Sequence, residues 1–139
     1  MRVSLFIPTY RDIRALELIL DALKIQTHRD FEVIVAEDDS SVEVKEFLKN
    51  YSADFSIKHF SHENQGNRKA VILNKALSKT EGKYLIFIDG DTIPYTTFIA
   101  SHVALSASKT VLCGRRVNLG EAVSTKPVSY THLTLPTKA

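Results

Sequence analysis

The chain has 139 residues, 44% of them hydrophobic and 24% charged, which is the make-up of an ordinary globular domain with a single core. Its net charge is only +2, and its Lys and Arg residues are scattered, paired only at places such as Arg68-Lys69 and Arg115-Arg116. That excludes a dedicated nucleic-acid binder, which concentrates basic residues on one face.

Residues 3–8 form a short apolar run, read as a first strand. Residues 13–25 follow with Ile13, Leu16, Leu20 and Leu23 at helical spacing and Asp12 as N-cap. Residues 31–36 are β-branched and apolar and end in Glu37-Asp38-Asp39. Residues 41–51 predict a second helix with Val44, Phe47 and Leu48 inward, and Asp39 or Ser40 is expected to cap it. Residues 55–60 read as a third, more polar strand, and residues 65–77 as a third helix. Residues 83–88 are the fourth strand. Residues 94–106 read as helical, with Pro94 in the first turn, where its missing N–H costs nothing. Residues 110–113 predict a fifth strand that would bury Cys113 as a small hydrophobe.

Regular alternation of strand and helix, with strands apolar along their length, predicts an α/β fold: a three-layer sandwich around a mostly parallel sheet. Ligands of such sheets bind beyond the carboxyl ends of the strands. Three of those ends are polar here: Thr9-Tyr10-Arg11, Glu37-Asp38-Asp39 and Asp89-Gly90-Asp91.

The most informative stretch is Tyr84-Leu85-Ile86-Phe87-Ile88-Asp89-Gly90-Asp91. A hydrophobic strand stops in two carboxylates flanking a glycine, which lets the backbone turn and a ligand approach. Two hard oxygen donors suit Mg²⁺ or Mn²⁺, whose remaining positions a substrate diphosphate would fill. A solvated Asp-Gly turn is the plainer reading of the same letters. A haloacid-dehalogenase-type phosphatase is an alternative, with Asp89 as nucleophile and Asp91 as general acid/base. Its motif follows a first strand, however, and this one follows about the fourth. At the second strand end, Glu37 and Asp38 are candidates to accept hydrogen bonds from a nucleobase or ribose.

Together the blocks Phe6-Ile7-Pro8-Thr9-Tyr10, Gln26-Thr27, residues 31–41 and residues 84–91 resemble family-2 glycosyltransferases with the GT-A fold. The resemblance runs from Arg2 to about Asn118. It implies inverting transfer of a sugar from a nucleotide-diphosphate donor, with uridine the usual base, to a saccharide or lipid-linked acceptor. By the resemblance, Pro8, Thr9 and Tyr10 line the nucleotide pocket and Glu37 with Asp38 contacts base and ribose. Asp89 and Asp91 match the family's metal-binding acid pair: Asp91 would ligate an Mn²⁺ or Mg²⁺ ion and Asp89 would lie nearer the ribose and donor sugar, with Gly90 and Asn74 completing the expected donor-binding residues.

The chain departs from the family pattern in places. The usual Asp-Asp-Gly-Ser is Glu37-Asp38-Asp39-Ser40. Leu73, not Arg, precedes Asn74, so the basic nucleotide contact is expected from Arg68 or Lys69. Gly114-Arg115-Arg116-Val117 resembles a block of the galactosyltransferase-like branch. The family's catalytic base and acceptor elements follow the metal motif, and the only acid after Asp91 is Glu121, in a segment without clear structure; no residue is assigned as the base.

Residues 128–137 resemble the translated end of a transposon adapter used in library sequencing. The expectation is therefore a partial nucleotide-sugar-binding domain over residues 1–127, a non-native tail over 128–139, and a donor-binding fragment without turnover of its own, with a truncated fragment of no function as the alternative. No apolar run approaches the ~20 residues that span a bilayer, and the first strand begins with no signal peptide before it. The single cysteine fits a reducing compartment. Together these place the protein in the cytoplasm, with attachment to a membrane surface as the alternative.

Overall fold

A computed structural model of the protein describes residues 1–121; the proposed tail lies outside the described residues. The elements alternate as β1 (Val3–Thr9), α1 (Ile13–Lys24), β2 (Phe31–Glu37), α2 (Val42–Asn50), β3 (Ser56–Ser61), α3 (Lys69–Leu77), β4 (Tyr84–Phe87) and α4 (Phe98–Leu105). The four strands form one sheet in the order β3-β2-β1-β4, and every pairing is parallel. The chain builds outward from β1 through β2 to β3, then returns to the other side of β1 for β4. The reversal opens a crevice at the carboxyl ends of β1 and β4.

Side chains of successive strand residues point to opposite faces, and the two faces are covered differently. Val3, Leu5, Ile7, Val33, Val35, Ile86 and Ile88 pack with Leu16, Ile19, Leu20 and Leu23 of α1, Val44 of α2 and Ile99 of α4. On the opposite face Phe6 and Ile34 pack with Ala76 and Leu73 of α3. The result is three layers, helices on both sides of the sheet. Phe87 stacks on Phe6 with ring centroids 4.5 Å apart, which adds about 0.5–1.5 kcal/mol to the area buried.

A buried charge sits among these apolar strands. Glu32 is fully buried and takes hydrogen bonds from Ser4 Oγ at 2.5 Å and the Glu81 N–H at 2.7 Å, with Lys58 Nζ 2.9 Å from its other oxygen. Gly82 completes this joint between β1 and the start of β4. Its N–H donates to Ser4 Oγ at 2.8 Å, and a Cβ there would lie 2.4 Å from Ser4 N.

Several element boundaries differ from the sequence reading. Ser41, not Asp39 or Ser40, caps α2: its hydroxyl accepts from Val44 N at 3.3 Å, while Asp39 is drawn to Arg11 at 2.8 Å. The third helix starts at Lys69 rather than 65, because Gly66 takes a left-handed φ of 84° and Asp38 binds the Arg68 N–H at 2.8 Å. The fourth helix starts at Phe98, so Pro94 lies in the preceding loop, where it is buried. Residues 110–113 form no strand. Lys109 turns the chain with a φ of 57°, Val111 is 86% exposed, and Cys113 is exposed rather than buried.

Candidate functional site

The carboxyl ends of all four strands feed one cleft of about 560 Å³. Pro8, Thr9 and Tyr10 come from the end of β1, with Asp12 just beyond; Asp38 follows β2; Asn64, Gly66, Asn67 and Lys69 follow β3; Gly90 and Asp91 follow β4. The walls are bound to one another. The Asp38 N–H donates to the Thr9 carbonyl at 3.0 Å, and Asn64 Nδ2 donates to the Tyr10 hydroxyl at 3.3 Å.

The β1 wall is held in an uncommon conformation. Arg11 has a φ of 51°, a left-handed geometry that costs roughly 1–2 kcal/mol for a residue with a side chain. Its guanidinium is fixed by Asp39 at 2.8 Å and lies 5.2 Å from the centre of the Tyr10 ring. The hydrogen bond with Arg11 holds the Asp39 carboxyl below its ordinary range and raises the guanidinium above its own. Asp12, on the next turn, caps α1 by accepting from Ala15 N at 3.0 Å. The turn thus exposes Tyr10, at 53%, to the cleft.

Asp38 is pinned at both carboxylate oxygens. One lies 2.5 Å from His62 Nε2 and the other accepts from Arg68 N at 2.8 Å. Burial acts to raise its pKa, but the His62 hydrogen bond and the Arg68 N–H outweigh it and leave the carboxyl below its usual value. The Arg68 N–H is an orphan donor at the start of α3, so Asp38, just past the end of β2, supplies the cap that the Arg68 side chain does not give. Position 37 behaves differently. Glu37 is fully buried beneath the cleft, and its oxygens meet Ser41 Oγ at 2.7 Å and His59 Nε2 at 2.9 Å.

Gly90 is where β4 meets the β1 wall. A Cβ at this position would lie 2.4 Å from the Pro8 carbonyl oxygen, so only glycine lets the two backbones approach this closely. Asp91 then projects into the cleft. Asp89, more than half exposed, stands on the other side of Gly90, with Lys69 Nζ 3.3 Å from one oxygen and Arg116 Nη1 3.9 Å from the other. It borders a neighbouring cleft shared with Arg115 and Arg116.

Of the residues expected from sequence, Pro8, Thr9, Tyr10, Asp38, Lys69, Gly90 and Asp91 line the main cleft. Glu37 lies under it, and Asp89 lies at its margin, tied to Lys69. The Arg68 side chain folds back to Gln65 Oε1 at 3.0 Å. Asn74 lies exposed farther along α3, away from the lining residues. Asn64, Asn67 and His62 carry no local signal in the sequence, although all lie just before Arg68 and Lys69. Gln26 matches a family block, but its role appears only in the fold. Buried Gln26 donates to the Tyr95 carbonyl at 2.7 Å and accepts from Ile99 N at 3.2 Å, anchoring the segment that carries the acid pair into α4.

The donor set fits a divalent cation shared with a ligand. Among the described residues no three His, Cys, Asp or Glu side chains converge into a closed metal cage. Two carboxylates around one glycine suit Mg²⁺ or Mn²⁺, ions that keep several positions for water or phosphate. The phosphatase alternative requires the acid pair after a first strand, and here it follows the fourth in chain order, β4.

The family model described as "Glycosyl transferase family 2" matches residues 4–137. An uncharacterized glycosyltransferase of Rickettsia bellii (strain RML369-C) is 35% identical over 92 residues, which is 66% of this chain and 13% of that protein. The chain spans 13–15% of the length of the first curated relatives it matches. The fold is similar to part of TarS 1-349 from S. aureus in complex with UDP, with a TM-score of 0.67 at 24% identity over 75% of this chain and 31% of that one. Mannosyltransferase PcManGT from Pyrobaculum calidifontis, in complex with GDP-Man and Mn²⁺, gives 0.66 at 25% identity over 82% and 35% of the two chains.

Proposed function

The chain belongs to glycosyl transferase family 2, and on that premise we propose that it is the donor-binding part of an inverting, metal-dependent glycosyltransferase. Its donor is a nucleoside-diphosphate sugar, a UDP-sugar in our reading, and its acceptor a saccharide or lipid-linked saccharide. The observation that carries this is the convergence of four strand ends on one cleft, with Asp38 at one wall and Asp91 at another. Two of the similar structures hold UDP in one case and GDP-Man with Mn²⁺ in the other, so a nucleoside diphosphate is their shared ligand class.

In this reading Tyr10 offers its ring to the base. Asp38, held ionised and fixed in orientation, accepts a hydrogen bond from the base or ribose; a carboxylate already pinned by two donors loses little freedom on binding. Asp91, with Asp89, would hold the Mn²⁺ or Mg²⁺ ion, which would supply charge neutralisation for the diphosphate leaving group. Lys69 adds a cation at the same wall. Deprotonation of the acceptor hydroxyl needs a general base, and no described residue is given that role. Among the described residues no helix is long and apolar enough to cross a membrane. A cytoplasmic location is part of the proposal, supported by a sequence whose single cysteine cannot form an intrachain disulfide.

The test is calorimetric titration of the protein with UDP, with and without Mn²⁺. Saturable heat that requires the metal supports the reading; no binding with Mn²⁺ present overturns it.

A further inference from the structure

The acid pair is electrostatically uneven. Asp89 has a cation near each oxygen, Lys69 at 3.3 Å and Arg116 at 3.9 Å, whereas Asp91 forms no ion pair among the described residues. Lys69 is the only one of these two cations whose side chain also lines the main cleft. It sits in the first turn of α3, where a positive charge opposes the helix dipole, so its position is favoured by the carboxylate and not by the helix.

We propose that Lys69 is a positioning residue that couples metal binding to diphosphate binding. This inference rests on the donor-binding reading above. With the cleft empty, the Lys69 ammonium occupies the Asp89 oxygen that a divalent cation would need, so metal alone must displace it. A diphosphate in the cleft gives the ammonium a second anionic partner. Lys69 then turns to the phosphate oxygens and leaves Asp89 to the cation. Each ligand therefore makes room for the other, and by linkage the two affinities rise by the same factor. Asp91, lacking such a competitor, gives the cation its first protein contact.

An exposed ion pair of this kind is weak, so its release should change metal affinity by no more than about fivefold, about twofold to fivefold at low salt and less as salt screens the pair. Lysine is suited to the exchange because its ammonium is a compact charge on a flexible stem.

The experiment follows Mn²⁺ by electron paramagnetic resonance, which reads free ion directly, for wild type and Lys69→Met. Titrations are run without nucleotide and with saturating UDP. In Lys69→Met, Mn²⁺ alone should bind about twofold to fivefold more tightly, and the enhancement of Mn²⁺ binding by UDP should shrink. Lys69→Arg should retain most of the coupling. If Mn²⁺ alone binds Lys69→Met no more tightly than wild type, or if the UDP enhancement is unchanged, the coupling role is wrong. If wild type itself shows no mutual enhancement of Mn²⁺ and UDP, the donor-binding reading fails with it. A circular-dichroism melt matched to wild type verifies that the half-exposed site tolerates methionine; a lowered melt directs the test to Lys69→Gln, for which the same two outcomes decide.

Discussion

The Pro8 carbonyl oxygen occupies the space where a side chain at Gly90 would begin, 2.4 Å from an ideal Cβ. That single contact sets the separation of β1 and β4 at the mouth of the cleft, because Ile88 N still reaches the Phe6 carbonyl at 3.2 Å just before it. A methyl group at residue 90 meets backbone, which cannot rotate aside. Gly90→Ala is expected to lower stability by about 1–3 kcal/mol, the usual cost of overpacking, and to weaken metal-dependent nucleotide binding. Urea unfolding and calorimetry check the two effects; a variant with wild-type stability and affinity contradicts the close approach.

His62 and Asp38 form a second such pair, 2.5 Å apart. Removing the imidazole leaves one oxygen of a largely buried carboxylate without its donor, at a cost of about 1–3 kcal/mol. His62→Ala should therefore weaken UDP binding and loosen residues 62–68, read as faster amide exchange there. His62→Gln, which keeps a donor, should recover part of the affinity.

The Glu32 site makes a prediction about acid. Burial alone would raise this carboxyl, but hydrogen bonds from Glu81 N, Ser4 and Lys58 hold it below the ordinary glutamate range. A group whose folded pKa is depressed contributes stability above its unfolded pKa and loses it as pH falls through the folded value. The urea midpoint should thus owe nothing to Glu32 titration between about pH 6 and 8 and should fall below about pH 4. Glu32→Gln should flatten that fall. Lys58→Ala should destabilise by about 1–3 kcal/mol at neutral pH, because it strips a partner from a buried charge. An acid limb as steep in Glu32→Gln as in wild type contradicts this assignment.

Gln26 holds the loop beyond the acid pair through the Tyr95 carbonyl and Ile99 N–H, with Thr27 N adding a bond to the Thr96 carbonyl at 3.1 Å. Gln26→Ala should cost about 1–3 kcal/mol of stability and weaken nucleotide binding from a distance. Gln26→Glu keeps the acceptor for Ile99 but sets a buried carboxylate oxygen against the Tyr95 and Ala22 carbonyls, so its loss should be at least as large as that of alanine. Measured UDP affinity that is unchanged in both variants would remove the loop from the account.

The sheet was legible because β1, β2 and β4 are largely apolar, and the cleft because those three strands stop abruptly in polar groups. What periodicity could not show was contact between distant segments. Glu37 and Asp38 are adjacent carboxylates with the same chemistry. The register places one under the sheet edge against His59 and the other over it against His62. Gln26 looks like a polar helix end until α4 arrives beside it. Residues 110–113 have strand composition, but the left-handed turn at Lys109 leads them out of the ladder, and Cys113 goes with them. The third helix starts later than its pattern suggests for a similar reason, since the Arg68 N–H takes its cap from Asp38, a partner that no local pattern names.

The central claim is that Asp91 joins a divalent cation to a donor diphosphate. The most direct measurement is the dissociation constant of a UDP-sugar with Mn²⁺, compared between wild type, wild type with a chelator, and Asp91→Ala. The account expects both the chelator and the substitution to weaken binding at least about tenfold, which is 1.4 kcal/mol, with no further loss when they are combined. Binding by Asp91→Ala that equals wild type and still depends on Mn²⁺ would contradict it.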